Sequence, residues 1–105
     1  MRFASVVLSL ASLAAVTAHA DETALTLAKD AGCLSCHAMA DKVVGPAYQA
    51  IATKYANDTD AVATLMASVQ NGSKGKWGRI PMPAHREIPS ADIEMLVRWI
   101  LSQKP

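Results

Sequence analysis

Apolar positions recur at helical spacing in four places along the chain. From residue 90 onward Ile93, Leu96, Val97, Ile100 and Leu101 fall at i, i+3, i+4 intervals, so this segment is predicted as a helix with one buried face. Ser90 is its expected N-cap, with Asp92 and Glu94 in the first turn where the helix dipole favours negative charge. A second helix is expected to follow Asp58 or Asp60, carry Leu65, Met66 and Val69, and stop at Asn71-Gly72. Pro46 suits the first turn of another, running through Tyr48, Ile51, Ala52 and Tyr55. Residues 23–31 place Leu25, Leu27, Ala28 and Ala31 ahead of Gly32, a helix stop. No strand-like alternation of useful length and no internal repeat interrupts this pattern, so the expected class is all-α with about four helices.

The first 20 residues break the pattern. Met1-Arg2 is a short basic start, residues 3–16 contain Ser as their only polar residue, and Ala18-His19-Ala20 is a small-x-small cleavage site. Residues 1–20 are therefore expected to be a signal peptide, leaving one domain over residues 21–105, with an uncleaved anchor as the alternative. The apolar run is shorter than the roughly 20 residues a membrane span needs. Ala accounts for a third of the apolar side chains after residue 20, and Phe3, the single Phe, lies in the leader. A chain this small with so few large apolar side chains needs a disulfide, a metal or a bound cofactor to complete its core.

The two cysteines indicate which. Cys33-Leu34-Ser35-Cys36-His37 is the C-x-x-C-H pattern of haem c attachment. Each thiol adds across a porphyrin vinyl group, the sulfur bonding one carbon and the proton going to the other. The two-residue spacer lets one turn of chain reach both vinyl groups, and His37 then sits beneath the iron. A Cys33–Cys36 disulfide is compatible with export, and C-x-x-C also occurs in thioredoxin-like redox sites. The latter follow a hydrophobic strand, whereas the segment before Cys33 is helical. Zinc lacks further ligands apart from His85 and carboxylates.

A six-coordinate haem iron needs a ligand opposite His37. Met39 is held on the wrong side by its closeness to His37, and Met66 and Met95 lie within helices as core filler. Met82 stands in Ile80-Pro81-Met82-Pro83, where flanking prolines exclude helix and stiffen the backbone around a single thioether. It is the first candidate, with His85 the rival and simple packing the remaining reading. Residues 72–89 form the longest non-helical stretch, and long loops in small domains are usually functional. Trp77 within it reads equally as a core aromatic or as a donor to a haem propionate.

At this point the chain resembles a known family. The C-x-x-C-H site, Val44-Gly45-Pro46-Ala47-Tyr48, Asn71-Gly72-Ser73, Trp77-Gly78, Ile80-Pro81-Met82-Pro83 and the ending from Trp99 to Lys104 resemble the short bacterial class I cytochromes c of the cytochrome c-551 (cytochrome c8) type. The resemblance implies the class I cytochrome c fold, with the helices wrapped around one covalently attached haem c. It implies His37 and Met82 as axial ligands, the Pro46 carbonyl accepting from the His37 ring N–H, and Trp77 bonding a propionate. It implies a monomeric periplasmic electron carrier, not an enzyme. Its expected donor is a membrane cytochrome bc1-type complex, and its acceptor a nitrite reductase, a cytochrome c peroxidase or a terminal oxidase. Two positions depart from many relatives. His85 replaces an Asn that helps orient the Met sulfur, which leaves an imidazole able to donate there, to titrate near neutrality or to replace Met82. Arg79 stands where some relatives have Pro.

Charge refines the picture. Residues 21–60 hold three Lys/Arg and six Asp/Glu, whereas residues 61–105 hold six and three. This balance gives no support for nucleic-acid binding. Lys74, Lys76, Arg79 and Arg86 cluster in the loop with Met82, as a docking face for a redox partner or as an ordinary solvated loop. The competing function is a haem protein with open or His85-ligated iron, acting as a gas sensor or peroxidatically. A small disulfide-bonded interaction domain is a third.

Overall fold

A computed structural model describes residues 3–4 and 12–105 of the chain. Residues 1–2 and 5–11 of the expected leader therefore lie outside the described residues. Four α-helices occur among the described residues: α1 (Ser12–Asp30), α2 (Tyr48–Lys54), α3 (Ala61–Asn71) and α4 (Ser90–Leu101). A 3₁₀ turn at Cys33–Ser35 follows α1. There are no strands among these residues, and two isolated bridges, His37 with Lys42 and Ser73 with Met82, are the β-type pairings. The all-α expectation holds.

The helix ends show what local sequence does and does not dictate. Within the described residues α1 already runs from Ser12, ahead of the expected residue 23. It closes where Gly32 turns to φ 80°, with Lys29 in its last turn beside the exposed carbonyls. Helix α2 starts at Tyr48, two residues after Pro46. Its first N–H groups are taken by tertiary partners, Tyr48 N–H donating to Ala38 O at 2.9 Å and Gln49 N–H to Met39 O at 3.0 Å. Before α3, the Asp58 carboxylate accepts the Asp60 N–H at 2.8 Å, closing a turn that feeds the helix. Ser90 is not the cap of α4: Pro89 holds that place, and the N–H groups of Asp92 and Ile93 both bond its carbonyl. Proline fixes the backbone at the extended φ −58°, ψ 145° of a helix entrance, leaving the Ser90 hydroxyl to accept from Gln70 Nε2 of α3 at 3.4 Å.

Helix α4 is the hub, packing against α1, α2 and α3. Ala24 and Ala28 of α1 are fully buried beside Leu96 and Trp99 of α4, small side chains that let the two helices approach closely. Tyr48, Ile51 and Tyr55 of α2 complete that cluster. A second cluster joins Ile88, Ile93 and Val97 to Val62, Met66 and Val69 of α3. Met66 and Met95 both pack in the core, as core filler should.

Candidate functional site

Between these clusters and the loop over residues 72–89 lies a cavity of about 620 Å³, mainly apolar, inside the range of about 300–1,000 Å³ usual for cofactor sites. Cys33, Cys36, His37, Pro46, Trp77, Met82 and His85 all line it. Met39 does not.

The wall carrying the cysteines is built by the turn after α1. His37 N–H donates to Cys33 O at 3.0 Å, which folds the five-residue motif onto itself and brings both thiols to one side. Burial pushes the Cys33 thiol above its ordinary pKa. The motif follows helix α1 and no strand occurs among the described residues, so the strand-led setting of a thioredoxin-like site is missing. Both cysteines are unpaired. No group of three or more His, Cys, Asp or Glu side chains suited to a metal occurs among the described residues, so a zinc site has no protein donor set there.

His37 is held by three neighbours. Its Nδ1 lies 2.7 Å from Pro46 O. A carbonyl only accepts, so Nδ1 carries the proton and Nε2 of the neutral ring is left as the basic nitrogen. Gly45 leaves the ring its space, since a Cβ there would stand 2.7 Å from His37 Cε1. Tyr48 stacks on the imidazole, ring centroids 5.3 Å apart and planes 16° from parallel.

The opposite wall holds Met82. Its N–H donates to Ser73 O at 2.9 Å and its carbonyl accepts the Ser73 N–H at 3.1 Å, so the residue is clamped on both sides of its Cα. Gly72 makes the clamp possible. Its φ 80°, ψ 173° lies in a region that essentially glycine alone occupies, and a Cβ there would meet Met82 O at 2.7 Å. His85 lies 19 % exposed; its N–H donates to Val69 O at 2.8 Å and its Nδ1 faces Glu87 Oε1 at 3.2 Å. Trp77 is in neither core cluster. It stands 37 % exposed at the cavity rim, its ring face 4.5 Å from Lys54 Nζ, a cation–π contact between α2 and the loop.

Ser73, Gly45, Tyr48 and Lys54 were not picked out by sequence reasoning as site-building residues. Each acts through a partner distant in sequence. Gly45, Tyr48 and Ser73 sit within the family-like segments, which was the one available signal, and Lys54 had none. The basic cluster is divided: Lys76 and Arg79 line the cavity mouth, joined there by Lys42, while Lys74 and Arg86 lie outside the lining. Val43, Val44 and Ile80 are exposed at the same mouth.

Thiols, an imidazole with a free basic nitrogen and a thioether, converging on one apolar cavity from opposite walls, suit a covalently held haem, and the residues present fit that group. This defines a small helical haem c protein. The sequence profile of the cytochrome c family matches residues 22–104, and the chain belongs to that family. It is 47 % identical over 77 residues to cytochrome c-551 of Allochromatium vinosum, covering 73 % of this chain and 82 % of that protein. It is 46 % identical over 78 residues to cytochrome c-552 of Nitrosomonas europaea, covering 74 % and 76 %. The crystal structure of the wild-type Nitrosomonas cytochrome c552 superposes with a TM-score of 0.74 at 45 % identity, over 76 % of this chain and 99 % of that one. The fold is therefore that of the class I cytochromes c. Membership brings one covalently bound haem c and the role of an electron-transfer protein, not an enzyme.

Proposed function

We propose that this chain is a periplasmic one-electron carrier, exported through residues 1–20 and functioning as residues 21–105. Haem c is attached at Cys33 and Cys36, with His37 and Met82 as axial ligands. The bound haem supplies the one-electron Fe(III)/Fe(II) couple. His37, fixed by Pro46 O, offers Nε2 from one wall, and Met82, fixed by Ser73, offers its thioether from the other. Thioether ligation and an apolar pocket both favour the reduced state and raise the potential. His37, held through its ring, and Met82, held through its backbone, would shift little between the two oxidation states, which suits outer-sphere transfer. Trp77, at the rim, bonds a haem propionate. The observation that carries this reading is the convergence of Cys33, Cys36, His37 and Met82 on one cavity of about 620 Å³.

Exchange partners dock over the cavity mouth. Its rim sets exposed Val43, Val44 and Ile80 among Lys42, Lys76 and Arg79, which fits a partner face with an apolar centre and acidic surround. The donor is a membrane cytochrome bc1-type complex and the acceptor a periplasmic nitrite reductase, a peroxidase or a terminal oxidase. Among the described residues no helix is long and apolar enough to cross a membrane. The chain acts as a monomer.

The test is expression with a cytochrome c maturation system. Expected results are haem that stays bound under denaturing electrophoresis, a mature protein starting at Asp21 in the periplasmic fraction, and a weak long-wavelength Met-to-Fe(III) band that disappears in Met82→Ala. Because His85 lines the same cavity, a second ligation is examined by the same spectra. His85 ligation predicts no such band in the wild type, and open iron predicts carbon monoxide binding by the reduced protein. Electron-transfer rates should fall as ionic strength rises; salt-independent rates with every redox partner would overturn the docking assignment.

A further inference from the structure

The geometry points to Tyr48 as the residue that sets the rotational orientation of the His37 imidazole, through ring-on-ring stacking against a fixed pillar. The inference rests on His37 being an axial ligand. One hydrogen bond, from Nδ1 to Pro46 O, fixes the tautomer and one in-plane direction but leaves the imidazole able to tilt about that axis. Tyr48 removes this freedom, because its ring lies 5.3 Å from the imidazole centroid and only 16° from parallel.

The tyrosine is itself buried and held on several sides. It is 2 % exposed, and its ring meets Trp99 of α4 edge-on at 5.4 Å and 71°. Its N–H donates to Ala38 O at 2.9 Å, one residue past His37, so backbone and side chain both bind it to the attachment segment. The orientation of the imidazole is thus referred to α4, the hub of the fold, and not only to the loop at Pro46.

The test is magnetic resonance on the holoprotein. The order and spread of haem-methyl proton shifts in the oxidised state report the imidazole plane, and a purely structural role for Tyr48 would leave them unchanged. In reduced wild-type protein, nuclear Overhauser effects are expected between the Tyr48 and His37 ring protons. Tyr48→Phe keeps the stacking ring and should keep the wild-type methyl order. Tyr48→Leu and Tyr48→Met remove it and should shift the methyl resonances and change their order. Absence of the ring-to-ring effects in wild type overturns the proposal even if no ring-free variant folds. So does a folded ring-free variant with the wild-type methyl pattern. Loss of covalent haem or of axial His37 in the wild type would instead reject the ligand assignment, and is read separately from the visible spectrum.

Discussion

Gly72→Ala tests how the thioether wall is held. At φ 80°, ψ 173° an alanine occupies backbone space costing on the order of 1–3 kcal/mol. Its Cβ would also stand 2.7 Å from Met82 O and 3.2 Å from Ala84 N, both backbone atoms that yield only if the loop moves. Forcing such a shift adds about 1–3 kcal/mol, while the stiffer unfolded chain of the alanine variant offsets about 0.4–1 kcal/mol of that cost. The net loss is roughly 2–5 kcal/mol, and at an m-value of about 2 kcal/mol/M the urea midpoint should fall by roughly 1–2.5 M. Gly32→Ala is the control, because that glycine also has φ 80° but at ψ 12°, with nothing within 4 Å of a Cβ. There only the left-handed penalty applies, about 1–2 kcal/mol. Urea unfolding of both holoproteins, followed at the haem band and by far-ultraviolet dichroism, gives the two losses. The Met-to-Fe(III) band should weaken in Gly72→Ala and stay intact in Gly32→Ala. Equal losses with an intact band in both would refute the view that Gly72 exists to seat Met82.

Ile93→Ala empties a fully buried site in the second cluster, outside the cavity lining, and should cost about 2–5 kcal/mol by denaturation while leaving the visible spectrum unchanged. Lys54→Met removes the cation over Trp77 and should cost about 0.5–1 kcal/mol, measurable by the same unfolding assay, with no change in ligation. The Glu87 carboxyl is held below its ordinary pKa, first by its own backbone N–H and then by His85. A depressed value stabilises above the unfolded pKa and is lost as pH falls through the folded one, so the melting-temperature gap between wild type and Glu87→Gln should close under acid. A gap that stays constant through that range would reject the contact.

Chemistry was more legible in the sequence than geometry. Cys33, Cys36 and His37 carry their meaning in their spacing, because the attachment needs one turn of chain and no distant partner. The buried face of α4 was equally readable, since Ile93, Leu96 and Val97 repeat with the helix. The start of α2 was not, because Ala38 and Met39 supply the carbonyls that receive its first N–H groups, and periodicity carries no record of them. The Ser90 cap failed for a similar reason: Pro89 already gives the chain its entrance angle, and the hydroxyl is turned to α3. Met82 was singled out through its prolines, yet the residue that grips its backbone is Ser73, nine positions earlier. Tyr48 read as a hydrophobic position on a helix and as part of a family-like segment, neither of which says that its ring faces His37.

The scarcity of large apolar side chains takes on a specific meaning in the fold. Ala24 and Ala28 fill the α1–α4 contact with little side-chain volume. Larger groups such as Ile51, Tyr48, Leu65, Val69, Leu96 and Val97 belong to the core clusters and also line the cavity. Helix packing and cofactor packing therefore share one apolar surface, and a covalent haem contributes to folding as a buried residue does, by removing that surface from water. The same economy bears on electron transfer. His37 is referred through Tyr48 to Trp99 on α4, and Met82 through Ser73 to the end of α3. Since α4 gives Leu96 and Trp99 to the first core cluster and Ile93 and Val97 to the second, where it meets α3, the supports of the two proposed ligands are joined through α4. A small core continuous with the supports of both proposed ligands would resist relative movement of the two walls, as moving one electron with little rearrangement requires.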